Sequence, residues 1–317
     1  MTEKFSFFIA SELNYIFFRG IKIQCALMIA LSEKTSMRVG GPAREFYEPA
    51  CESGFVDCVR GFHKAGDPYF VLGNGTNVIV RDGGYPGAVI STLKALRNVE
   101  ITDGLRLVCG AGESLAGVCR FAAENGLSGL EELSGIPGTI GGAVYMNAGA
   151  YGGEISAILA NVRAYDANSE KYIMLTADEC AFGYRSSVFK EKPILILSAV
   201  FVLSPGDKAA IEAKMAEYAR RRNEKQPVEL PSAGSFFKRP EGDYAGRLIE
   251  AAGMKGARVG GAQVSLKHAG FIVNTGGATA HDVLTLAEEV KNKVLEQFGV
   301  ILEKEPVVIG NDQALSE

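Results

Sequence analysis

Histidine is scarce in this chain of 317 residues: His63, His268 and His281 are the only three, and none stands in an H-x-x-x-H arrangement. A zinc site has little to build on, so no metal is expected. The six cysteines (Cys25, Cys51, Cys58, Cys109, Cys119 and Cys180) include no C-x-x-C pair. In a chain of this length they read as buried small apolar residues, which favours a reducing, cytoplasmic compartment. Basic charge is not in excess either: 33 Lys and Arg stand against 37 Asp and Glu, a net charge of -4. No broad field invites nucleic acid or an anionic membrane, and any anion must meet a local site. Long apolar runs are also missing. Phe5 to Ile9 and Ile23 to Leu31 are too short to span a bilayer, and Glu12, Arg19 and Lys22 interrupt the region. A secretory signal would need a longer unbroken apolar stretch and a small-residue cleavage site. Residues 1–34 are therefore expected to be an extension, packed or frayed, or a docking helix.

What is present is α/β alternation in a chain long enough for two or three domains. From 35 to 92, Phe55, Val59 and Phe62 share a helical face that Gly66 closes, and Tyr69 to Leu72, Val78 to Val80 and Ala88 to Ile90 read as strands. From 93 to 204 strands predominate, at Arg106 to Cys109, Val162 to Tyr165, Tyr172 to Leu175 and Ile194 to Leu203, with a helix from Leu115 that Gly126 terminates. From 205 to 317 a helix at Ala209 to Arg222 presents Ile211, Met215 and Tyr218. A second has Thr279 as cap, Asp282 three residues on, and an apolar stripe through Val283, Ala287, Val290, Val294 and Phe298 before Gly299.

Two glycine-rich segments dominate. One is Gly73-Asn74-Gly75-Thr76-Asn77, directly after a strand; the other runs from Ile136-Pro137-Gly138-Thr139 through Gly141 and Gly142 to Asn147 and Gly149. Glycine lacks the Cβ that would block close approach, so successive backbone N–H groups can wrap a pyrophosphate. One such segment would more simply be a tight turn, but two with Thr and Asn donors favour nucleotide binding. Neither is a G-x-G-x-x-G opening a helix nor a G-x-x-x-x-G-K-S/T, so the familiar dinucleotide and P-loop folds are unsupported. The stretch Gly126 to Gly153 is too long for an ordinary connection and is either disordered or functional.

The run Thr35-Ser-Met-Arg38-Val39-Gly40-Gly-Pro-Ala43, both glycine segments, Phe182-Gly-Tyr184-Arg185-Ser-Ser187, Pro231-Ser-Ala-Gly-Ser235-Phe-Phe-Lys238-Arg-Pro240, Ala245-Gly-Arg-Leu-Ile249 and Leu302-Glu-Lys-Glu305 stand in fixed order. Over about residues 35 to 310 the chain resembles the UDP-N-acetylenolpyruvoylglucosamine reductase family. The resemblance implies an α+β fold: an FAD-binding domain of the vanillyl-alcohol-oxidase (PCMH) type in two subdomains, 35–92 and 93–204, and a C-terminal α+β substrate domain, 205–317. It implies UDP-N-acetylmuramate dehydrogenase activity, with FAD as cofactor and NADPH as co-substrate, in peptidoglycan precursor synthesis. A small-molecule partner, UDP-N-acetylglucosamine enolpyruvate, and a monomer are expected.

The resemblance also carries residue roles. Arg185 and Glu305 fall where the family polarises the enolpyruvyl carboxylate, a task suited to a fixed guanidinium and a nearby acid. Ser235 falls at the family's proton donor; on bare chemistry it would read as a turn residue or a nucleophile, and no G-x-S-x-G elbow supports the latter. FAD contacts fall on Arg38, Val39 and Gly40 and on the two glycine segments, and substrate contacts on Tyr184, Lys225, Lys238 and His268. Alone, Arg185 would read as a structural ion pair, the lysines and Glu305 as solvated charge, and His268 as a satisfied interior residue. The interval from Arg185 to Ser235 leaves little room for the long tyrosine-bearing loop of one family branch, so the chain resembles the other, and Arg239 replaces that first branch's asparagine. Two rivals remain: another FAD oxidase or dehydrogenase on the same fold, which would lack the C-terminal motifs, and a non-catalytic flavin or nucleotide-sugar binder, which should lack one of Arg185, Ser235 and Glu305.

Overall fold

Phe55, Val56 and Val59 place apolar side chains on one face of a helix, and in the computed structural model of the protein that helix runs Glu52–Ala65 with these three residues at most 1% exposed. Gly66 ends it at φ 72°, and its N–H reaches the carbonyls of the last turn, as a left-handed C-terminal cap requires. The structure describes residues 7–8, 14–18 and 21–315. Two units share them, and each gathers separate stretches of chain: one takes Glu45–Asn74 and Gly87–Arg220 with the chain up to Leu27, the other Met28–Arg44, Gly75–Pro86 and the chain from Arg221.

In the first unit an antiparallel sheet is ordered Lys171–Thr176, Leu159–Asp166, Ile194–Val202, Arg106–Gly110, Val99–Thr102. The helix Leu115–Glu124 is capped by Ser114, whose Oγ accepts from Gly117 N–H at 3.0 Å. Leu107, Val118, Ile140, Val162 and Phe201 fill the core. A smaller core joins Phe55, Val59 and Ile90 to Tyr165 and Leu197, beside the parallel pairing of Tyr69–Leu72 with residues 88–91. Within the glycine-dense stretch a six-residue helix, Ile140–Tyr145, has Thr139 as cap, so that part is ordered.

The helix expected to open a C-terminal domain runs Lys208–Lys225, and up to Arg220 it belongs to the first unit. Met215 packs against that unit's core, Lys214 pairs with Glu132 at 2.6 Å, and the Tyr218 hydroxyl donates to Glu132 at 3.1 Å. Its apolar face found a partner behind it in sequence.

The second unit holds a sheet ordered Ser232–Ser235, Phe271–Asn274, Ala262–Val264, Arg258–Val259, covered by the helices Ala245–Ala251 and Ala280–Phe298. The longer helix carries the expected capping box of Thr279 and Asp282 and ends at Gly299 with φ 68°. Its stripe of Val283, Ala287, Val290 and Val294 is fully buried with Phe236, Ile272, Met37 and Ile79, while Phe298, expected on the stripe, is 39% exposed. Val307–Ile309 pairs in parallel with Val78–Val80.

Toward the N-terminus, Asn14–Phe18 and Ile21–Ala30 form an antiparallel hairpin, which replaces the docking helix considered for residues 1–34. The apolar run Phe5 to Ile9 lies outside the described residues except for Phe7–Phe8. Among the described residues no helix is long and apolar enough to cross a membrane. Cys58, Cys109, Cys119 and Cys180 are buried as expected, and burial pushes the Cys119 thiol up to about 12 and Cys180 up to about 11. Cys51, at the start of the first helix, is exposed instead.

Candidate active site

In the first unit the two glycine segments meet. A Cβ on Gly73 would lie 2.6 Å from Thr139 Oγ1, so glycine there permits the approach. Leu115 N–H and Ile140 N–H tie the second segment to the helix start at Ser114 through Gly138 and Glu113 carbonyls at 2.9 and 2.8 Å. Among the described residues the N–H groups of Gly73, Asn74, Gly138 and Thr139 have no intramolecular acceptor. Four such donors fit the pyrophosphate of a dinucleotide, which needs close, unspent N–H groups. In the continuing segment, Gly75 and Thr76 N–H are likewise unspent.

Other members of the expected cofactor set serve the fold. Gly141 donates to Ala111 C=O and packs on it, and Ile136 donates to Leu133 C=O and packs on the core, with Pro137 following. Asn147 Nδ2 donates to Gly183 C=O at 3.2 Å while its Oδ1 accepts from Ser156 N–H at 3.0 Å. Gly149 lies 2.7 Å, measured from a Cβ built on it, from Gly153 C=O. Val39 is a core residue at 2% exposure, and a Cβ on Gly40 would be 2.2 Å from Val80 C=O.

The glycines of the two segments therefore separate into two kinds. Gly75, at φ 62°, has Lys34 C=O 2.3 Å from where its Cβ would stand, so protein packing alone demands glycine. Gly142 has nothing nearer than Thr139 Oγ1 at 3.4 Å. Gly142→Val is thus expected to fold with a thermal midpoint near wild type and to bind FAD at least about tenfold more weakly, since its new methyl groups enter space the protein leaves open. Titration of the apoprotein, followed by quenching of FAD fluorescence, measures this; unchanged affinity would remove Gly142 from the cofactor site. Gly75→Val should fail to fold.

Arg185 lies in a tight turn in which Gly183 and Ser186 exchange backbone hydrogen bonds, both 3.1 Å. Its guanidinium donates to Gly149 C=O at 2.9 Å and Asn147 C=O at 3.4 Å and lies 5.1 Å from the centre of the exposed Tyr184 ring. The arginine is thus tied to the end of the second glycine segment.

In the second unit, the chain from Ser235 runs beside the chain before Glu305. Glu305 N–H donates to Phe236 C=O at 3.0 Å, Phe237 bridges Lys304, and Lys238 N–H donates to Glu303 C=O at 2.8 Å. Phe236 and Phe237 are buried, which turns the preceding Ser235 outward; its hydroxyl is exposed and has no intramolecular partner among the described residues. Asn77 ties in the first glycine segment: its Nδ2 donates to Glu305 C=O at 3.4 Å and its own C=O accepts from Val307 N–H at 2.9 Å. Sequence reasoning missed two organisers here. Ser36 donates from N–H to Gly75 C=O and from Oγ to Ser232 C=O at 2.6 Å. Buried Asn274 donates to the carbonyls of Met37 and Arg38, where Arg38 holds φ 57°. Neither pairing has a local signal, because the partners are far apart in sequence.

The expected substrate contacts divide. Lys225 is exposed in the last turn of its helix, whereas Lys238 pairs its ammonium with Glu303. His268 is a half-buried residue whose Nδ1 accepts from Gly270 N–H at 3.0 Å and whose ring meets Phe271 edge-on; burial holds its pKa below the ordinary histidine value.

Two glycine segments that meet around unspent N–H donors suit a flavoprotein, and residues 43–172 match the family model described as FAD binding domain. Residues 226–309 match UDP-N-acetylenolpyruvoylglucosamine reductase, C-terminal domain. The UDP-N-acetylenolpyruvoylglucosamine reductase of Clostridium novyi (strain NT) is 44% identical over 284 residues, 90% of this chain and 92% of that protein. That of Agathobacter rectalis is 47% identical over 292 residues, 88% of this chain and 92% of that protein. Among solved structures, the crystal structure of UDP-N-acetylenolpyruvylglucosamine reductase (MurB) from Thermus caldophilus is similar at a TM-score of 0.75 with 37% identity, covering 92% of this chain and 100% of that one. The chain belongs to the UDP-N-acetylenolpyruvoylglucosamine reductase family.

Proposed function

We propose that this chain catalyses the NADPH-dependent reduction of UDP-N-acetylglucosamine enolpyruvate to UDP-N-acetylmuramate, a step of peptidoglycan precursor synthesis. The observation that carries this reading is a chain of backbone contacts: Phe236, next to the exposed Ser235, accepts from Glu305 N–H, and Asn77 of the first glycine segment donates to Glu305 C=O. FAD, when bound, relays a hydride from NADPH to the enolpyruvyl double bond. Residues 35–92 and 93–204 serve FAD and 205–317 the substrate, with the nucleotide pyrophosphate of FAD held by N–H donors of the glycine segments. The Arg185 guanidinium holds the substrate carboxylate, and Glu305 in its acid form donates a hydrogen bond as negative charge develops there. Ser235 donates the proton to the carbon bearing the carboxylate. Tyr184, Lys225, Lys238 and His268 belong to the substrate side, Lys238 once released from Glu303. The protein acts as a monomer in the cytoplasm on this small-molecule substrate, without nucleic acid or membrane.

The purified protein is expected to show a flavin spectrum that NADPH bleaches and that the enolpyruvyl nucleotide sugar restores, with UDP-N-acetylmuramate as product. A colourless protein that FAD cannot reconstitute ends the flavin reading. Bleached flavin that oxygen reoxidises but the nucleotide sugar does not would reassign the substrate.

A further inference from the structure

Arg185 occupies a backbone position that its residue type resists. Its φ is 53°, in the left-handed region, at the third residue of the Gly183–Ser186 turn, where glycine is the usual occupant. A side chain in that region persists only when surrounding contacts over-determine the conformation, and such positions cluster where geometry serves function. Two of those contacts hold the guanidinium, through the carbonyls of Gly149 and Asn147. The third holds the backbone: Lys190 Nζ donates to Arg185 C=O at 2.7 Å.

Lys190 is itself well founded. It closes the short helical turn Val188–Lys190, in which Val188 and Phe189 are buried. Buried Ser187, just before it, donates to Tyr145 C=O at 2.7 Å, and the Lys190 ammonium lies 5.5 Å from the centre of the Tyr145 ring. Tyr145 ends the helix that begins in the second glycine segment. One lysine therefore links that helix to the strained residue whose side chain the reaction uses.

We infer that Lys190 is a positioning residue for the reduction: its ammonium locks the left-handed backbone of Arg185, so that the guanidinium is held ready before the substrate carboxylate arrives. A donor fixed in advance contributes more to charge stabilisation than one that must be ordered during the reaction. The inference rests on the proposed role of Arg185, and the experiment separates the two.

Lys190→Met keeps the length of the stem but removes the ammonium, and with it the donor to Arg185 C=O and the charge over the Tyr145 ring. NADPH should bleach its flavin at the wild-type rate, while reoxidation by the enolpyruvyl nucleotide sugar slows about tenfold, the scale of one lost charge-assisted hydrogen bond. Lys190→Arg, which restores a cationic donor, should recover most of the rate. In the Arg185→Ala background, Lys190→Met should slow reoxidation no further, because a residue that acts through Arg185 has nothing left to position. Lys190→Gln serves the same comparison if Lys190→Met does not fold. Additive losses in the double variant, or equal damage to both half-reactions, overturn the inference while leaving Arg185 its role. If Arg185→Ala itself reoxidises at the wild-type rate, the reading of Arg185 fails instead, and the inference with it.

Discussion

Ser235→Ala is expected to retain flavin, accept reducing equivalents from NADPH and bind the nucleotide sugar, yet to turn over more slowly by a factor on the order of 10² or more, the scale of losing a positioned general acid. Reduction of the double bond leaves charge on the carbon next to the carboxylate, and that carbon must receive a proton from one face. The proposed donor is the Ser235 hydroxyl, which is exposed and has no intramolecular partner among the described residues. The same observation makes the experiment clean. Because Oγ has no intramolecular partner among the described residues, its removal breaks no hydrogen bond of the fold, and stability should stay within about 0.5 kcal/mol of wild type. Ser235→Cys keeps a transferable proton and should lose less activity. In deuterated water, wild-type product should carry deuterium at the carbon bearing the carboxylate. Turnover of Ser235→Ala near the wild-type rate would reject the serine's role and leave the flavin assignment standing.

The second large effect concerns Arg185 and Glu305. Arg185→Ala and Glu305→Gln should each leave bleaching by NADPH intact and slow reoxidation by the nucleotide sugar by a factor on the order of 10², as removal of one transition-state donor does elsewhere. Glu305→Gln is nearly isosteric, and it keeps the backbone bonds from its N–H to Phe236 C=O and from Asn77 to its own C=O. Arg185→Ala is harsher. It frees the carbonyls of Gly149 and Asn147 and leaves alanine at φ 53°, so Arg185→Gly, which tolerates that conformation, is the companion variant. If both arginine variants keep rapid NADPH bleaching while substrate reoxidation fails, the guanidinium acts on the substrate. Parallel damage to both half-reactions would instead mark a role in folding or flavin retention.

Much of this fold is legible along the chain because its signals act over a few residues. Thr279 and Asp282 announce the last helix and Gly299 ends it, Gly66 closes the first helix, and the strands at Arg106, Val162, Tyr172 and Ile194 lie where their sequence patterns put them. The helix Lys208–Lys225 was legible as a helix but not as a neighbour of Glu132, since an apolar face specifies that it will be buried and not against what. The hairpin at Asn14–Phe18 and Ile21–Ala30 escaped because short apolar runs do not by themselves distinguish strand from helix.

Residue types and motif order along the chain singled out the side chains proposed to carry chemistry: Arg185, Ser235, Glu305 and the glycine segments. Tertiary structure alone decided what each of them faces. Gly75 and Gly142 look alike in sequence, yet one is pressed against Lys34 and the other opens on free space, because the partner of a missing Cβ is set by chain brought in from elsewhere. The same holds for Ser36 with Ser232 and Asn274 with Met37, pairs separated by 196 and 237 residues. Local propensity reaches about one turn of helix or one strand. Contacts over such distances form only when cores built elsewhere in the chain bring their partners together, so their identity is a property of the packed molecule.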